Sequence, residues 1–480
     1  MTKIIIFGTG SCGKRAYEML KNQFEIKYFC DNDVNKHGKS LFNIKIISPN
    51  QLLENKFRII IASMYYDDIS KQLIQLGIYN FIRFNDFILS DYFEEKLIND
   101  FYFENKSNYK SVAGVNIKKV LFVQPTHDIR TIKIAQMLND NGVDVEGAYS
   151  TTSPEDIYQK EEIPYSRIIP INNINEFMNL INNTDYDIIH SSNEPDYLTN
   201  LLLQSNKPVI YDCHDIMGLR GDLNNDQVIQ EYIAHKFSNG NIYVHGLTKK
   251  IAIDRFSLIN KKMLVLNNYP SKLQILKKDK NIKKISELDG QIHLVYEGGL
   301  SNEKNNHRYL EEKFLTIAKH GINIHFYNSD NIEYCKYLDG LSKYLHFEGK
   351  CSSSEVSKKM QVYDAGLVLL NITERNRIFL GSTFPNKVFD YLLAGIPIII
   401  EDIKILESFI EKYKCGVKIK EDNFKVLNLE LIKKIKIEED FILKNNFTME
   451  DNYFNILNFY KDVKKDFVNN GREALLIKNK

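Results

Sequence analysis

An α/β fold of three successive parallel-sheet blocks is predicted by three features of the chain. Short apolar strands alternate with helical stretches almost from end to end, which is the pattern of βαβ units. The rhythm stops twice, at the polar and aromatic stretch 92–116 and at the lysine-rich stretch Lys272–Lys284. The first strand runs directly into a glycine turn that opens a helix, the entry to a Rossmann-like block.

In the first block, strands are expected at 3–8 (KIIIFG), 26–31 (IKYFCD), 57–63 (FRIIIAS) and 80–84 (NFIRF). The segment 96–117 has no clear period and is expected to be a linker. The second block restarts at Lys118 with KKVLFVQ and continues through strands at 143–150, 186–192, 208–215, 241–246 and 263–268. The third has strands at 292–299, 323–328, 344–349, 363–370, 396–402 and 415–419. The tail places Phe454, Leu457 and Val463 at helical spacing, with Tyr453 and Tyr460 among them, which predicts an amphipathic helix. The expected domains are therefore 1–95, 118–270 and 271–445, with a C-terminal helix and tail over 446–480.

Composition narrows the function classes. The chain has 480 residues, 43% apolar and 26% charged, the balance of folded globular protein. Its 63 basic and 62 acidic residues leave a net charge of +1, so no global field attracts nucleic acid. The longest run without a polar residue, Tyr391–Ile400, falls short of the ~20 that cross a bilayer. MTKIIIFGTG reads as a strand and turn rather than a signal peptide, and a cytoplasmic location is expected. Six scattered cysteines form no CxxC and no metal spacing, so no metal site and no resident cofactor is expected.

The glycine turn is Gly8-Thr9-Gly10-Ser11-Cys12-Gly13, and Asp31 ends the next strand 18 residues beyond Gly13. Glycines there permit close backbone approach to phosphates, and the carboxylate is placed to accept ribose hydroxyls. Gly8, Gly10, Gly13 and Asp31 are the candidate nucleotide-binding residues of this block. FGTGSCGK, FCDNDVNKHGK, ISP and IIIASMYYDDISKQLIQLG together resemble the N-terminal domain of bacterial sugar acetyltransferases. Some such domains hold a nucleotide-sugar and others have no known ligand. An NAD-dependent reading would need a hydride-transfer constellation that does not accompany the motif.

From Lys118 onward the chain resembles retaining GT-B glycosyltransferases of the large family four. The carrying segments are YDIIHSS, KPVIYDCHDI, MLVLNNYP, EGGLSNEKNN, LHFEGKCSSSEV, YDAGLVLL and FPNKVFDYLLAGIPIII. The resemblance implies two Rossmann-like domains, an acceptor domain and a donor domain, with the donor nucleotide-sugar between them. Pro385 presets a helix start, and Ser382, Asn386, Lys387 and Asp390 lie around it. By resemblance Asp390 takes the place of the second Glu of an E-x7-E pair, and Ser382 stands where the first would fall. Lys304 matches the family's diphosphate lysine. Gly299, beside Gly298, replaces its arginine, so Arg375 and Arg377 are the expected substitute cations. The family's donor-facing histidine corresponds to His214, which with Lys304 makes up the expected catalytic pair. His127, Asp128 and Arg130, after the first strand of the second block, are expected to face the acceptor side of the cleft. His190 reads as a packed strand-end histidine, and Glu231 has no assigned chemistry.

The expected activity is hexosyl transfer from a nucleotide-sugar to a growing surface glycan or lipid-linked acceptor, retaining and metal-independent. The alternative is a non-catalytic nucleotide-sugar-binding scaffold or sensor. Lys272–Lys284 and Lys461–Lys480 are candidates for peripheral contact with anionic membrane, or else a solvated hinge and tail.

Overall fold

Isoleucine, valine and leucine runs form the strands, because both faces of a parallel sheet are covered by helices and the central strands are buried along most of their length. Ile4, Ile5 and Ile6 are each at most 1% exposed, and Leu121, Phe122, Ile188 and Ile189 are fully buried. The computed structural model of the chain describes residues 2–478 apart from 23, 85–96, 99–100, 104–108, 111, 221–223, 276–281, 329–330, 351–354, 374–375, 420–423 and 425–426. At 225, 356 and 471–478 only the backbone is described. The chain divides into two units, Met1–Leu97 and Ile98–Lys480.

Unit 1 is a six-stranded sheet of β1 (Thr2–Phe7), β2 (Phe24–Cys30), β3 (Ser40–Leu41), β4 (Ile44–Ile47), β5 (Arg58–Ile61) and β6 (Phe81–Arg83). Its order is β3-β4-β2-β1-β5-β6, parallel except for the antiparallel β3-β4 pair. Helix α1 (Ser11–Leu20) follows β1, and α2 (Tyr66–Gln75) follows β5. Gly8 has φ +117°, and a Cβ on Gly13 would lie 1.9 Å from the Gly8 carbonyl oxygen. Only glycine lets α1 start this close to the turn.

Unit 2 holds two further sheets. The first is β13-β12-β11-β10-β7-β8-β9. In chain order its strands are β7 (Lys119–Val123), β8 (Asp144–Tyr149), β9 (Arg167–Pro170), β10 (Ile188–Ser192), β11 (Val209–Cys213), β12 (Gly240–Tyr243) and β13 (Met263–Val265). The second is β16-β15-β14-β17-β18-β19. It comprises β14 (His293–Glu297), β15 (Asn323–Tyr327), β16 (Leu345–Gly349), β17 (Ala365–Val368), β18 (Ile398–Ile400) and β19 (Gly416–Lys418). Every pair in both sheets is parallel. Strand order reverses between β7 and β10 and between β14 and β17. Ligands of open α/β sheets sit at the carboxyl ends of strands flanking such a reversal.

Four helices of unit 2 matter to the site: α3 (Ile129–Asp140), α4 (Asn225–Phe237), α5 (Lys387–Leu393) and α6 (Tyr453–Lys478). The terminal helix α6 leaves the second half and packs on the first. Phe459 and Val463 fill the space over Gly240, Lys262 pairs with Asp462 at 2.8 Å, and Lys464 pairs with Asp187.

The stretch expected to be a linker contributes to unit 2 instead. Phe103 packs edge-on against Phe409, with ring centroids 4.9 Å apart, and its backbone N–H donates to Ser408 Oγ at 2.6 Å. Tyr109 meets Phe459 and donates its hydroxyl to the Met263 carbonyl at 3.0 Å. Burying these aromatic rings stabilises far more than a solvated tether would. In the basic hinge stretch, Lys272 pairs with Asp451 at 2.7 Å.

Candidate functional site

In the first half of unit 2, the site is built from the loops after β7 and β11. Asp128 caps α3: its Oδ1 accepts from Thr131 N at 2.8 Å, and Oδ2 lies 3.1 Å from His214 Nδ1. His214 follows β11, and its own N–H donates to Asn193 Oδ1 at 2.9 Å. Burial disfavours a charged His214, but the Asp128 carboxylate, helped by Asp212, outweighs it and pushes the pKa up to about 10. His214 is therefore an imidazolium at neutral pH. Asp128 is held well below the usual carboxylate range, because His214 more than offsets its desolvation.

Two of the three residues expected on the acceptor side do not face a cleft. Arg130 is 3% exposed and clamps Asp212 with two bonds, Nε to Oδ2 at 2.9 Å and Nη2 to Oδ1 at 3.0 Å. Its Nη1 donates to the Leu266 carbonyl at 2.9 Å and to Asn268 Oδ1 at 2.8 Å. Such a forked guanidinium ties β11 to the segment after β13 and has little left to offer a ligand. His127 is 1% exposed, between the Tyr165 hydroxyl at 2.7 Å and the Ala148 carbonyl at 3.1 Å. Burial pushes its pKa down to about 4. Arg130 lies in the first turn of α3 and His127 just before its cap, and both side chains turn inward. Asp128 alone of the three joins His214.

In the second half, β14 ends at Glu297 and the chain turns through Gly298, with φ +129°. A Cβ there would stand 3.0 Å from Lys387 Nζ. The Lys387 ammonium lies 3.7 Å from the centroid of the Tyr296 ring. Burial pushes its pKa down to about 7, against the opposing pull of Glu297 and Asp390. Glu297 and Asp390 share a hydrogen bond, and burial beside the Asp390 charge raises Glu297 well above the usual carboxylate range. Tyr391, on α5, accepts from Glu297 N at 2.9 Å and fixes the strand end. The ring of Tyr391 occupies the space over Gly366, where a Cβ would be 2.2 Å from it.

Arg308 lies over the next glycine. A Cβ on Gly299 would meet Arg308 Nη1 at 2.5 Å. Its loop is pinned by Asn371, whose Nδ2 donates to the carbonyls of Lys304 at 2.7 Å and Asn306 at 3.0 Å. His307 is pushed down to about 4 by burial and then by the charges of Arg308, Arg220 and Lys387. The charges of three cations, Arg220 of the first half among them, thus reach one neutral imidazole. Arg220 comes from the first half and lies 6.0 Å from the Phe379 ring centroid of the second. Neither Arg308 nor Lys387 has a carboxylate within ion-pair distance among the described residues.

The halves meet at further points. Lys133, on α3, donates to the Tyr269 carbonyl at 3.4 Å and feels the charges of Asp390, Glu450 and Asp128. Burial lowers its pKa despite them. His245 is hydrogen-bonded to the Ser382 carbonyl. Ser382 is 7% exposed and spends its own hydroxyl on the Phe379 carbonyl at 2.8 Å. Asn386 is exposed beside Lys387. Arg377 is exposed at the start of the short helix Arg377–Gly381, and Arg375 lies outside the described residues. Lys304 points away from the cluster: its side chain is 78% exposed and 3.8 Å from Glu312. Arg308, four residues on in the same loop, is the cation that lies over Gly299.

Glu231 sits inside the first half and braces the loop of Arg220. Its Oε1 accepts from Gly218 N at 3.0 Å, and burial pushes its pKa up to about 7.

Unit 1 has its own cavity of about 580 Å³, lined by Gly8 to Cys12, Asp31, Asp33, Lys36, Met64 and Tyr65 among others. Asp31 is already occupied. It accepts from Thr9 N at 3.1 Å, the Thr9 hydroxyl, Asp33 N at 2.9 Å and Lys36 Nζ at 3.1 Å. The carboxylate thus organises the loop and is not free for ribose hydroxyls. Gly10, with nothing within 4 Å of an added Cβ, faces open space.

Residues 1–81 match a protein-family model described as C2185-like, N-terminal. No curated protein matches the chain in sequence. Among solved structures, a glycosyltransferase from Rickettsia africae ESF-5 is similar at 13% identity. The match covers 73% of this chain and 99% of that one, with a TM-score of 0.53. Anabaena Alr3699/HepE in complex with UDP matches at 14% identity, over 75% of this chain and 99% of that one, with a TM-score of 0.49. The fold of unit 2 is that of the GT-B glycosyltransferases, two Rossmann-like domains in tandem. Among the described residues no helix is long and apolar enough to cross a membrane.

Proposed function

We propose that unit 2 transfers a hexosyl group from a nucleotide-sugar to a growing surface glycan, with retention and without a metal ion. The observation that carries this reading is the pair of cations at the Gly298–Gly299 turn, Lys387 beside the first glycine and Arg308 beside the second. A diphosphate bound there would meet two cations that lack a carboxylate partner among the described residues. As the glycosidic bond to phosphate breaks, negative charge grows on the leaving diphosphate, and preorganised cations stabilise it. Asp390, with Glu297 beside it, offers oxygen atoms to the ribose hydroxyls. The imidazolium of His214 faces the donor sugar. No carboxylate acts as nucleophile; following the family that the sequence resembles, the leaving phosphate assists attack on the same face. The acceptor is a glycan or a lipid-linked chain, and the protein works in the cytoplasm, at most peripherally at the membrane.

For unit 1 we infer a phosphate-bearing ligand, a nucleotide or nucleotide-sugar, held by the backbone of Gly8 to Cys12. Asp31 contributes loop geometry and makes no ribose contact.

Both readings are tested in the full chain. UDP or GDP should raise the melting temperature in EDTA, by ~2.7 kcal/mol of stabilisation at a hundredfold excess over Kd. Arg308→Ala should lower turnover about 10²-fold and weaken nucleotide binding less. Titration of a nucleotide-sugar panel should resolve two sites in the parent and one in Gly10→Asp. Stabilisation that requires Mg²⁺ or Mn²⁺ would overturn the metal-free reading, and binding with no transfer would leave the scaffold.

A further inference from the structure

A row of four side chains lies across β14, β15 and β16, outside the site described above. Asp289 Oδ2 is 2.9 Å from His293 Nε2, His293 Nδ1 is 2.8 Å from His325 Nε2, and His325 Nδ1 is 2.7 Å from Glu348 Oε1. Both rings are buried, whereas the side chains of Asp289 and Glu348 are 39% and 36% exposed. Each of the three contacts needs a proton, because two lone pairs facing each other repel. Two neutral imidazoles carry only two. The carboxylates do not supply the third. His325 holds Glu348 below the usual carboxylate range, and the Gln291 N–H, with His293, does the same for Asp289. The third proton therefore belongs to the two rings, and the pair carries one positive charge. The surrounding groups are consistent with that count. His346 on β16 stacks on His325 at 4.6 Å, and its Nε2 donates to Asn323 Oδ1 at 2.9 Å. Burial and then the charge of His325 push the His346 pKa down, against the weaker pull of Glu348 and Asp339. The Tyr363 ring lies 4.7 Å from His325, and its hydroxyl meets that of Tyr327, whose ring has Lys359 at 6.0 Å. Asp364 accepts from His293 N at 2.8 Å and from the Ser286 hydroxyl, and Lys284 donates to the Tyr363 carbonyl.

We propose that His293 and His325 share one extra proton as a pH-operated latch: while it is held, the row ties the helix Ser286–Asp289 and the end of β16 to β14 and β15, and when it leaves, the row opens. Two protons then serve three contacts, and one contact becomes a pair of opposed lone pairs. The rings are enclosed and the carboxylates are not, so the break falls at an outer carboxylate. Asp289 keeps the Gln291 N–H at 2.9 Å. Glu348 has no other hydrogen-bond partner among the described residues, so it turns to water. β16 is the outermost strand of its sheet, and Glu348 precedes Gly349, whose φ is +86°. Without the Glu348 tie, that strand end frays while β14 and β17 at the sheet centre hold. Linkage fixes the sign. Closing the row takes up a proton, so the latch weakens as pH rises, by up to about tenfold per unit. The latch does not depend on what unit 2 transfers.

The test uses the full chain with ¹⁵N-labelled histidine. At about pH 6, three of the four ring nitrogens of His293 and His325 should be protonated, with a scalar coupling between His293 Nδ1 and His325 Nε2. Raising the pH to about 10 should remove one of those protons. Glu348→Gln separates a latch from a structural contact. Its amide donates to His325 Nδ1, so two neutral imidazoles satisfy all three contacts and the extra proton is no longer needed. Hydrogen exchange of the β16 amides is then compared between parent and variant at each pH. Protection in the parent relative to Glu348→Gln should fall by up to about tenfold per pH unit as the proton leaves. A merely structural glutamate would give a ratio that does not change with pH. That constant ratio, two protons on the four nitrogens at pH 6, or a pair that keeps three protons up to pH 10 would each overturn the proposal. If Glu348→Gln fails to fold, the nitrogen count in the parent decides.

Discussion

Lys387 is the residue whose environment makes the clearest demand on a ligand. Its ammonium is buried against Tyr296, and its pKa falls to about 7. A bound diphosphate adds two negative charges nearby and raises that pKa, so binding takes up a proton. Linkage fixes the sign: affinity is greatest below pH 7 and falls as pH rises above it, by up to about tenfold per unit until the bound-state pKa is reached. Lys387→Arg keeps the charge at all accessible pH values and should remove this part of the slope. UDP titrations between pH 6 and 9 in both proteins check it, and equal slopes would show that Lys387 does not meet the phosphate. Lys387, Asp390 and His214 were legible in the sequence because they lie inside segments whose order carries the resemblance. Arg308, Lys133 and Arg220 were not. Each acts on residues from a different loop or half, and no local spacing records that. A signal was available for Arg308: Gly299 leaves a hole in a loop that holds a second cation only nine residues away.

At the level of elements, the strands were readable because burial on both faces writes an unbroken apolar run. β14, β17 and β18 fall within the expected ranges 292–299, 363–370 and 396–402. β9 (RIIP), β4 (IKII) and β3 lie at or next to sheet edges and mix exposed with partly or fully buried positions, so they write no unbroken apolar run. The link between α5 and β14 depends on Gly366, over which the Tyr391 ring packs. Gly366→Ala forces that ring aside inside a closed core, an overpacking that costs roughly 1–3 kcal/mol. It also pulls the Tyr391 hydroxyl from Glu297 N, a 2.9 Å bond that holds the strand end at the Gly298 turn. The variant should therefore lose both thermal stability and nucleotide affinity, whereas an exposed Asn386→Ala change should cost little stability. Calorimetry and UDP titration on the same two samples separate these outcomes. An unaffected Kd in Gly366→Ala would mean that the Tyr391 bond does not set the turn.

For the whole molecule, the position of the boundary decides what a minimal unit must contain. Polar composition over 96–117 reads as linker, because charged and aromatic residues without a period carry no element signal. The aromatics there are nevertheless packed: Ile98 lies over Gly381, where an added Cβ would meet it at 3.1 Å, and Phe103 joins Phe384, Phe409 and Tyr413. That cluster continues through Phe389 and Phe447 to Tyr269, the place where the two halves are joined. Removing Phe103 would open a cavity in it, at a cost of about 3–5 kcal/mol for a Phe→Ala-sized loss. Residues 98–480 should thus fold as one cooperative unit, while 112–480 should melt markedly lower or aggregate. Phe103→Ala in the full chain should reproduce most of the difference between the two fragments, because it removes the same ring without shortening the chain. Differential scanning calorimetry of the three proteins is the check. Equal melting of 98–480 and 112–480 would show that the segment is a tether after all, and that the ring cluster closes without it.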